Sequence, residues 1–373
     1  MNQKDLNENI PEWVPENKPE GFATKIIKGK QTPKTKISNL TNKETKKLLA
    51  KEYVDGVLAG NRTILGQTLT LIESNSTSHQ KLAHKILKLL FPHSGNSIRI
   101  GITGFPGAGK STFIEALGLH LIKQGYKVAV LAIDPSSPIS KGSILGDKTR
   151  MELLAREENC FIRPSPSSGT PGGVARKTKE SIIVCEAAGY NIILVETVGV
   201  GQSEFAVRSM VDFFLLLTIP GAGDELQGIK KGVIELADAL IINKADGDNI
   251  KRALIAKSEF SSALKYLTSP TTGWKPRVEI CSALTANGIP EIWQIIQDFV
   301  ETTKSSNVFS SRRKEQLLEW IFSIIEDELK RHFYENQHIK ILFEELKPKV
   351  LNGDMLPTVA AEYLLEHYFS HNK

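Results

Sequence analysis

The chain has 373 residues, 40% of them hydrophobic and 24% charged, which is enough for one large α/β domain with smaller helical additions. Its formal charge of +5 is modest and its lysines are accompanied by a similar number of acids, so neither nucleic acid nor a membrane surface is an expected partner. The three cysteines are widely separated and have no CxxC spacing, which argues against a disulfide framework. No secretory signal is recognisable, and no apolar run approaches the about 18 residues needed to span a bilayer. We therefore expect a cytoplasmic protein.

The N-terminal part of the chain divides into two segments. Residues 1–40 are polar and become lysine-rich, a composition typical of a flexible arm or of an arm that wraps a partner subunit. Residues 41–94 carry apolar residues at spacings of three and four, which predicts helices that lead into the main domain.

Residues 95–305 change to short apolar strands separated by helical stretches. The six predicted strands lie in SIRIGITG, KVAVLAID, NIILVET, VDFFLLLTI, ALIINK and RVEICSA. Continuous apolar strands with intervening helices are typical of a mostly parallel sheet that is covered by helices on both faces. The predicted fold class is therefore α/β, with helical extensions at both ends of the chain.

Residues 306–373 are again predicted to be helical, and Pro357 is predicted to start the last helix. The first of these helices is predicted to carry an apolar stripe along one face, formed by Leu317, Trp320, Ile321, Ile324, Ile325 and Leu329. Because both faces of the sheet in the main domain are already covered, we expect this stripe to need cover from another surface.

The segment GITGFPGAGKST has the spacing GxxxxGKS between a predicted strand and a predicted helix, which is the context that a phosphate-binding loop requires. Its glycines let backbone N–H groups point at the β-phosphate of a nucleotide, and the helix N-terminus adds positive potential. We expect Lys110 to reach the β- and γ-phosphates and Ser111 to offer its hydroxyl to Mg²⁺. The predicted nucleotide contacts of this P-loop are Gly107, Ala108, Gly109, Lys110, Ser111 and Thr112.

The sequence favours GTP over ATP as the nucleotide. An NKxD pattern ends a predicted strand, and the segment SAL follows the next strand, so that the expected base contacts are Asn243, Lys244, Asp246, Ser282, Ala283 and Leu284. The Asp246 carboxylate accepts from N1–H and from the 2-amino group of guanine, and adenine has neither donor at those positions. Binding of adenine would leave this buried acceptor unpaired, which is expected to favour guanine over adenine by about 10⁴-fold. We expect Asn243 to tie this base loop to the phosphate loop and Lys244 to lie along the base.

Three acids follow strand ends or lie soon after them, namely Asp134, Asp147 and Glu196. Mg²⁺ prefers oxygen ligands and keeps several waters, so these acids and Ser111 are the predicted metal set, most of the acids acting through water. Glu196 begins the segment ETVG, which stands where many GTPases carry DxxG, and Gly199 is expected to turn its N–H toward the γ-phosphate. The next residue is Val200 instead of the glutamine that orients water in small GTPases, which predicts slow hydrolysis without a partner. The expected catalytic residues are Lys110, Glu196 and Asp134.

Together these motifs resemble the MeaB/ArgK family, the methylmalonyl-CoA mutase-associated GTPases, within the dimerising class of P-loop GTPases that includes the signal-recognition and metal-insertion GTPases. The segments that carry the resemblance are VLAGNRTILGQTLTLIES, GITGFPGAGKST, AIDPSSPISKGSILGDKTRM, RPSPSSGTPGGVA, VETVGVGQSE, PGAGDELQGIKKG and NKAD. The resemblance begins near Thr45 and continues to the C-terminus. Glu196 in place of the usual Asp is also a feature of this family.

The resemblance implies a homodimer joined through residues 306–373. It implies that the protein couples GTP binding and hydrolysis to delivery of adenosylcobalamin to an acyl-CoA mutase, methylmalonyl-CoA mutase above all, and to protection of that mutase. An adenosyltransferase is a further partner to consider. The resemblance also assigns nucleotide and magnesium roles to Lys110, Ser111, Asp134, Asp147 and Glu196.

The segment PGAGDELQGIKKG follows a predicted strand but lacks the Lys-Ser ending of a phosphate loop. One interpretation is a solvated loop that caps the next helix with Asp224. The other is a switch whose lysines and acids change partners with the nucleotide state, and the resemblance points to Lys230 as its main residue. The predicted switch residues are Asp224, Glu225, Gln227 and Lys230.

Two other functions share some of these motifs. A P-loop kinase of a small organic substrate has the same phosphate loop, although a kinase seldom needs NKxD. A nickel-insertion GTPase usually displays His or Cys clusters, and here the eight histidines are scattered. Cys160, Cys185 and Cys281 are expected to be small buried residues and not metal ligands.

Replacing Asp246 by Asn tests the predicted guanine specificity. The amide presents a donor where the carboxylate accepts, so Asp246→Asn is expected to weaken GTP binding on the order of 100-fold and to favour xanthosine triphosphate. Titration of both proteins with both nucleotides measures the change. An unchanged affinity for GTP would show that the NKAD segment does not read the base.

Overall fold

The core of the protein is a parallel β-sheet. The structure is a computed structural model that describes residues 48–133, 151–165, 171–197, 203–221 and 231–371. Within these ranges the strands are β1 (Ile98–Gly104), β2 (Val128–Ile133), β3 (Cys160–Ser165), β4 (Ile192–Thr197), β5 (Phe213–Thr218), β6 (Ala239–Ile242) and β7 (Arg277–Ile280). They form one sheet in the order β3-β2-β4-β1-β5-β6-β7, with every neighbouring pair parallel. The predicted α/β class is confirmed.

Strand β3 is the one strand of the described sheet that the sequence analysis missed. It lies at an edge of the sheet and has a neighbouring strand on one side only. Pro164, which has no backbone N–H, is tolerated in such an edge strand. Arg163 interrupts its apolar pattern, and its guanidinium pairs with the carboxylate of Glu73. A strand with an arginine and a proline in six residues does not match an apolar run, which explains the error.

Helices cover both faces of the sheet, as predicted. In chain order they are α1 (Ala50–Leu58), α2 (Arg62–Glu73), α3 (Thr77–Leu90), α4 (Lys110–Lys123), α5 (Glu152–Ala155), α6 (Pro171–Ala187), α7 (Ser203–Arg208), α8 (Lys231–Ile234), α9 (Asn249–Leu264), α10 (Ile289–Ser305), α11 (Val308–Glu335), α12 (Gln337–Leu351) and α13 (Pro357–His371). Helices α4, α9 and α10 contribute to the core on one face, and α1, α2, α3, α6 and α7 to the core on the other. None of the described helices combines the length and hydrophobicity of a bilayer-spanning helix.

The central strands are buried on both faces, which accounts for their continuous apolar sequences. In β5, Phe213 and Leu215 pack with the α4 and α10 side, whereas Phe214 packs with the α6 and α7 side. Successive residues of a strand point to opposite faces, so both sets must be apolar when both faces are covered. The three cysteines are also buried and free of disulfides, as predicted.

Helix α11 is attached to the sheet by buried polar contacts near its start. The Arg313 guanidinium donates two hydrogen bonds of 2.7 Å to the Asp212 carboxylate, at the start of β5. Arg312 lies 3.8 Å from the Asp238 carboxylate, which also accepts from Arg208 at 2.9 Å. Gln316 Nε2 donates to the backbone oxygen of Val211 at 2.8 Å. These contacts fix the direction in which the C-terminal helices leave the core.

Beyond this attachment the C-terminal helices expose much apolar surface. Only Gln316 is buried among the residues of α11. Large apolar side chains with at least 40% of their surface exposed on α11 are Leu317, Leu318, Ile321, Phe322, Ile325 and Leu329. A small cluster that includes Ile339, Leu346 and Leu364 holds α12 and α13 together. Of the predicted stripe, Leu317, Ile321, Ile325 and Leu329 are exposed within the single chain, whereas Trp320 and Ile324 are half-buried.

Removing the Asp238 carboxylate tests the importance of the buried ion pairs. Asp238→Ala leaves the guanidinium groups of Arg208 and Arg312 without their shared carboxylate and is expected to lower the free energy of unfolding by about 3–5 kcal/mol. The control Asp298→Ala removes the half-exposed pair with Arg277 and is expected to cost no more than about 1 kcal/mol. Urea unfolding measures both values, and equal losses would contradict this interpretation.

Candidate functional site

The two predicted nucleotide-binding motifs lie at one edge of the sheet. The phosphate loop follows β1, Asn243 follows β6 directly, and the SAL segment follows β7. Because the strands are parallel, their carboxyl ends meet at the same edge, where open α/β sheets bind ligands. Glu196 lies near the end of β4, which pairs with β1, so it reaches the same edge.

The backbone of the phosphate loop depends on glycine at two positions. A Cβ at Gly104 would lie 2.2 Å from the backbone oxygen of Leu217, so the loop leaves β1 against β5 with no space for a side chain. Gly109 has a φ of +87°, and a Cβ there would lie 2.7 Å from Asn243 Nδ2. Gly109 is also the residue before α4, whose N-terminal N–H groups therefore open toward the loop.

Lys110 is held within this loop. Its ammonium donates to the backbone oxygen of Gly104 at 2.8 Å and to that of Phe105 at 3.1 Å, and the residue is 8% exposed. A glycine-lined turn at a helix N-terminus, with a cation inside it, is a site suited to a phosphate chain.

Ser111 and Glu196 lie next to each other beside the loop. Ser111 Oγ donates to Glu196 Oε1 at 3.1 Å, and both residues are partly or fully buried. Thr197, the residue after Glu196 in β4, donates from its Oγ1 to Thr103 Oγ1 on the neighbouring strand β1 at 2.8 Å. A hydroxyl and a carboxylate in contact are oxygen ligands of the kind that Mg²⁺ prefers, so the described residues fit this ion.

Asn243 connects the phosphate loop with the base loop. Its Nδ2 donates to the backbone oxygen of Ala108 at 2.8 Å, and its Oδ1 accepts from the backbone N–H of Ala283 at 2.9 Å. The thiol of Cys281 is 3.5 Å from the same Oδ1. Burial raises the pKa of this thiol to about 12, so it stays protonated and remains a donor at neutral pH. The two loops are therefore joined through one buried amide.

The other residues of the base loop include an oriented carboxylate and two exposed side chains. Ser282 Oγ donates to Asp246 Oδ2 at 2.6 Å, which orients the carboxylate. Lys244 is exposed and has a left-handed φ of 58°. Leu284 is 81% exposed, a large exposed fraction for an apolar side chain. The carboxylate of Asp246 and the exposed side chains of Lys244 and Leu284 supply this loop with the polar edge and the apolar surface that a planar base needs.

Seven of the predicted site residues lie outside the described ranges, namely Asp134, Asp147, Gly199, Asp224, Glu225, Gln227 and Lys230. Among the predicted residues that the structure describes, the phosphate loop contacts Glu196 through Ser111 and the base loop through Asn243. In the described part of the chain no group of three or more His, Cys, Asp or Glu residues is arranged to hold a metal ion.

Two features of this edge were missed by the sequence analysis. The hydrogen bond between Thr103 and Thr197 links β1, immediately before the phosphate loop, to the ETVG segment at the end of β4. The contact of Cys281 with Asn243 supports the base loop from inside the protein. Neither residue pair forms a recognisable sequence motif. Each pair does lie at the ends of neighbouring strands, so a prediction of strand register could have placed its two residues together.

The chain is similar in sequence to known proteins. A family model described as methylmalonyl Co-A mutase-associated GTPase MeaB matches residues 65–338. GTPase ArgK of Escherichia coli K12 is 47% identical over 322 residues, which cover 85% of this chain and 97% of that protein. The mouse protein (Mus musculus) named methylmalonic aciduria type A homolog, mitochondrial, is 43% identical over 351 residues, covering 91% of this chain and 84% of the mouse protein.

The fold also has a counterpart among solved structures. A crystal structure of a protein named LAO/AO transport system kinase superposes with a TM-score of 0.70 at 40% sequence identity. The match covers 88% of this chain and 99% of the solved chain.

Proposed function

Because this chain belongs to the MeaB family of methylmalonyl-CoA mutase-associated GTPases, we propose that it is a GTP-hydrolysing chaperone of an acyl-CoA mutase. In this proposal the nucleotide state controls delivery of adenosylcobalamin to the mutase and protection of the mutase. Methylmalonyl-CoA mutase is the proposed client, and an adenosyltransferase is proposed as a further partner that supplies the cofactor.

The observation that carries the nucleotide part of this proposal is the buried amide of Asn243. It joins the phosphate loop at Ala108 to the base loop at Ala283, so a bound nucleotide would be held at both ends by one connected unit. Asp246 is proposed to read guanine through N1–H and the 2-amino group, and Ser282 orients its carboxylate. Lys244 and Leu284 are proposed to flank the base.

At the phosphate end, different residues are proposed to bind the phosphates and to support hydrolysis. The backbone N–H groups of 107–112 and the Lys110 ammonium would bind the phosphates and neutralise their charge. Ser111 and Glu196 would hold Mg²⁺, and when bound this ion neutralises charge that develops on the phosphate oxygens. Asp134, Asp147 and Gly199 are proposed to complete the metal shell and the γ-phosphate contact.

Slow hydrolysis by the protein alone is part of the proposal. No glutamine directly follows Gly199 to orient water, so the attacking water is expected to be poorly positioned until a partner binds. The proposed client-sensitive element is the segment with Asp224, Glu225, Gln227 and Lys230. The kinase function has less support, because an NKxD base loop tied to the phosphate loop suits a guanine-specific GTPase.

Phosphate release with and without the mutase tests the coupling. The mutase is expected to accelerate GTP hydrolysis, and Lys230→Ala is expected to keep GTP affinity and unstimulated hydrolysis within about threefold of the parent while losing most of the acceleration. The control Lys265→Ala changes an exposed lysine after α9 and is expected to be stimulated normally. Full stimulation of Lys230→Ala would contradict the switch role, and no stimulation of the parent would contradict the choice of client.

We also propose that the protein is a homodimer joined through residues 306–373. The exposed apolar side chains of α11 support this, because a face of this kind needs cover in water and isologous pairing of two copies supplies it.

Introducing one charge on this face tests the homodimer. Phe322 is 64% exposed on α11, and Phe322→Asp is expected to give a monomer that still binds GTP, because its charge would be desolvated in the interface. Light scattering measures the mass in solution. The control Tyr266→Asp alters a side chain that is 90% exposed after α9 and is expected to remain dimeric. A Phe322→Asp dimer would contradict this interface.

A further inference from the structure

The backbone ladder between β1 and β4 ends earlier than the ladders on the other sides of these two strands. Its last pair is Ile102 with Glu196. Beyond this pair, β1 still pairs with β5 as far as Gly104, and β4 still pairs with β2 as far as Thr197. The described ladders therefore hold each strand end to its outer neighbour, and they leave the distance between the two strand ends to other contacts.

A hydrogen bond between two side chains joins β1 to β4 at this point. Thr197 Oγ1 donates to Thr103 Oγ1 at 2.8 Å, and both residues are completely buried. Thr103 directly precedes Gly104, whose backbone oxygen accepts from the Lys110 ammonium at 2.8 Å. Thr197 directly follows Glu196. Each threonine is thus covalently next to a residue of the phosphate loop or of the proposed metal site.

The threonine pair and the contact between Ser111 and Glu196 lie on opposite faces of the sheet. Successive residues of a strand point to opposite faces. Glu196 points toward α4, where Ser111 Oγ donates to it at 3.1 Å, so Thr197 points away from α4. On β1, a Cβ at Gly101 would lie 2.9 Å from a side chain of α7, and Thr103, two residues later, is on the same α7 side. The threonines therefore hold the strand ends from behind the proposed metal residues.

Stability alone does not require two hydroxyls at these positions. Valine has nearly the shape of threonine and an equal preference for strands. Replacing both partners of a buried hydrogen bond by apolar groups of the same shape is nearly neutral for folding. A hydrogen bond differs from apolar contact because it fixes a direction and a distance. The pair of Thr103 and Thr197 is therefore suited to fixing the relative position of the two strand ends.

We propose that Thr103 and Thr197 are positioning residues that set the distance between the phosphate loop and Glu196, and through it the affinity of the nucleotide-bound protein for Mg²⁺. This inference rests on the proposed role of Ser111 and Glu196 in holding the ion. The threonines act from the other face of the sheet and do not touch the ion themselves. Residues that orient metal ligands commonly change metal affinity by about 10–100-fold when they are replaced.

Titration with Mn²⁺ tests this role without depending on hydrolysis. Mn²⁺ accepts oxygen ligands as Mg²⁺ does, and its paramagnetic resonance signal measures the unbound ion. The full chain is kept in excess over a non-hydrolysable GTP analogue, so that all of the nucleotide is bound. The double variant Thr103→Val/Thr197→Val removes the hydrogen bond without leaving an unpaired hydroxyl. It is expected to match the parent in urea unfolding and to bind Mn²⁺ about tenfold more weakly.

Two further measurements separate positioning from a general structural effect. Binding of the GTP analogue without metal is expected to stay within about threefold of the parent in the double variant, because the phosphate loop itself is intact. Thr197→Ser keeps the hydroxyl and is expected to bind Mn²⁺ as the parent does. Thr103→Val alone carries the same expectation as the double variant and replaces it if the double variant is unstable.

A matched control and a ligand variant complete the test. Thr303→Val removes a buried hydroxyl of α10 that donates to the backbone oxygen of Phe299 at 2.7 Å, and it is expected to bind Mn²⁺ as the parent does. Glu196→Ala is expected to weaken Mn²⁺ binding at least as much as the double variant. Unchanged Mn²⁺ affinity of the folded double variant, with a loss in Glu196→Ala, would overturn the positioning role alone. Unchanged affinity in Glu196→Ala would overturn the proposed metal role of Glu196 and the positioning role with it.

Discussion

The proposed nucleotide site depends on the buried side chain of Asn243, which holds two loops from different parts of the chain. Its amide N–H donates to the carbonyl of Ala108 in the phosphate loop, and its oxygen accepts from the N–H of Ala283 in the base loop. Each end of the amide is therefore paired with a different loop. Gly109 must remain glycine in this arrangement, because a Cβ there would collide with the same amide. A buried group bonded on both sides is costly to leave unpaired, so the phosphate loop and the base loop keep one fixed separation.

A second set of buried polar contacts acts at the attachment of the C-terminal helices. Asp212 and Asp238 lie at the starts of β5 and β6 and bind Arg313 and Arg208, so the direction of α11 is set by the sheet itself. The exposed apolar side of α11 is thus presented at a defined angle to the core. This geometry suits an arm that carries an interface, whereas a loosely attached helix would lose more conformational freedom on binding.

Local patterns predicted most of the fold, and the long-range contacts were beyond them. The apolar runs predicted the strands that are buried on both faces, and the GxxxxGKS and NKxD spacings predicted which residues meet at the carboxyl edge. Strand β3 was missed because Arg163 and Pro164 replace the apolar pattern at the sheet edge. The pair of Arg208 with Asp238 was unpredictable for a different reason. Charged residues usually lie on the surface, and nothing in their local sequence marks these two as buried partners.

The most direct test of the account is the release of inorganic phosphate from GTP by the purified full chain, with no acceptor molecule added. A GTPase with a guanine-reading base loop is predicted to release phosphate from GTP slowly but continuously, and much more slowly from ATP at the same concentration. A kinase of a small organic substrate would release little phosphate from either nucleotide until its acceptor was supplied. Phosphate release that is equal for ATP and GTP, or that requires an acceptor, would contradict the central claim.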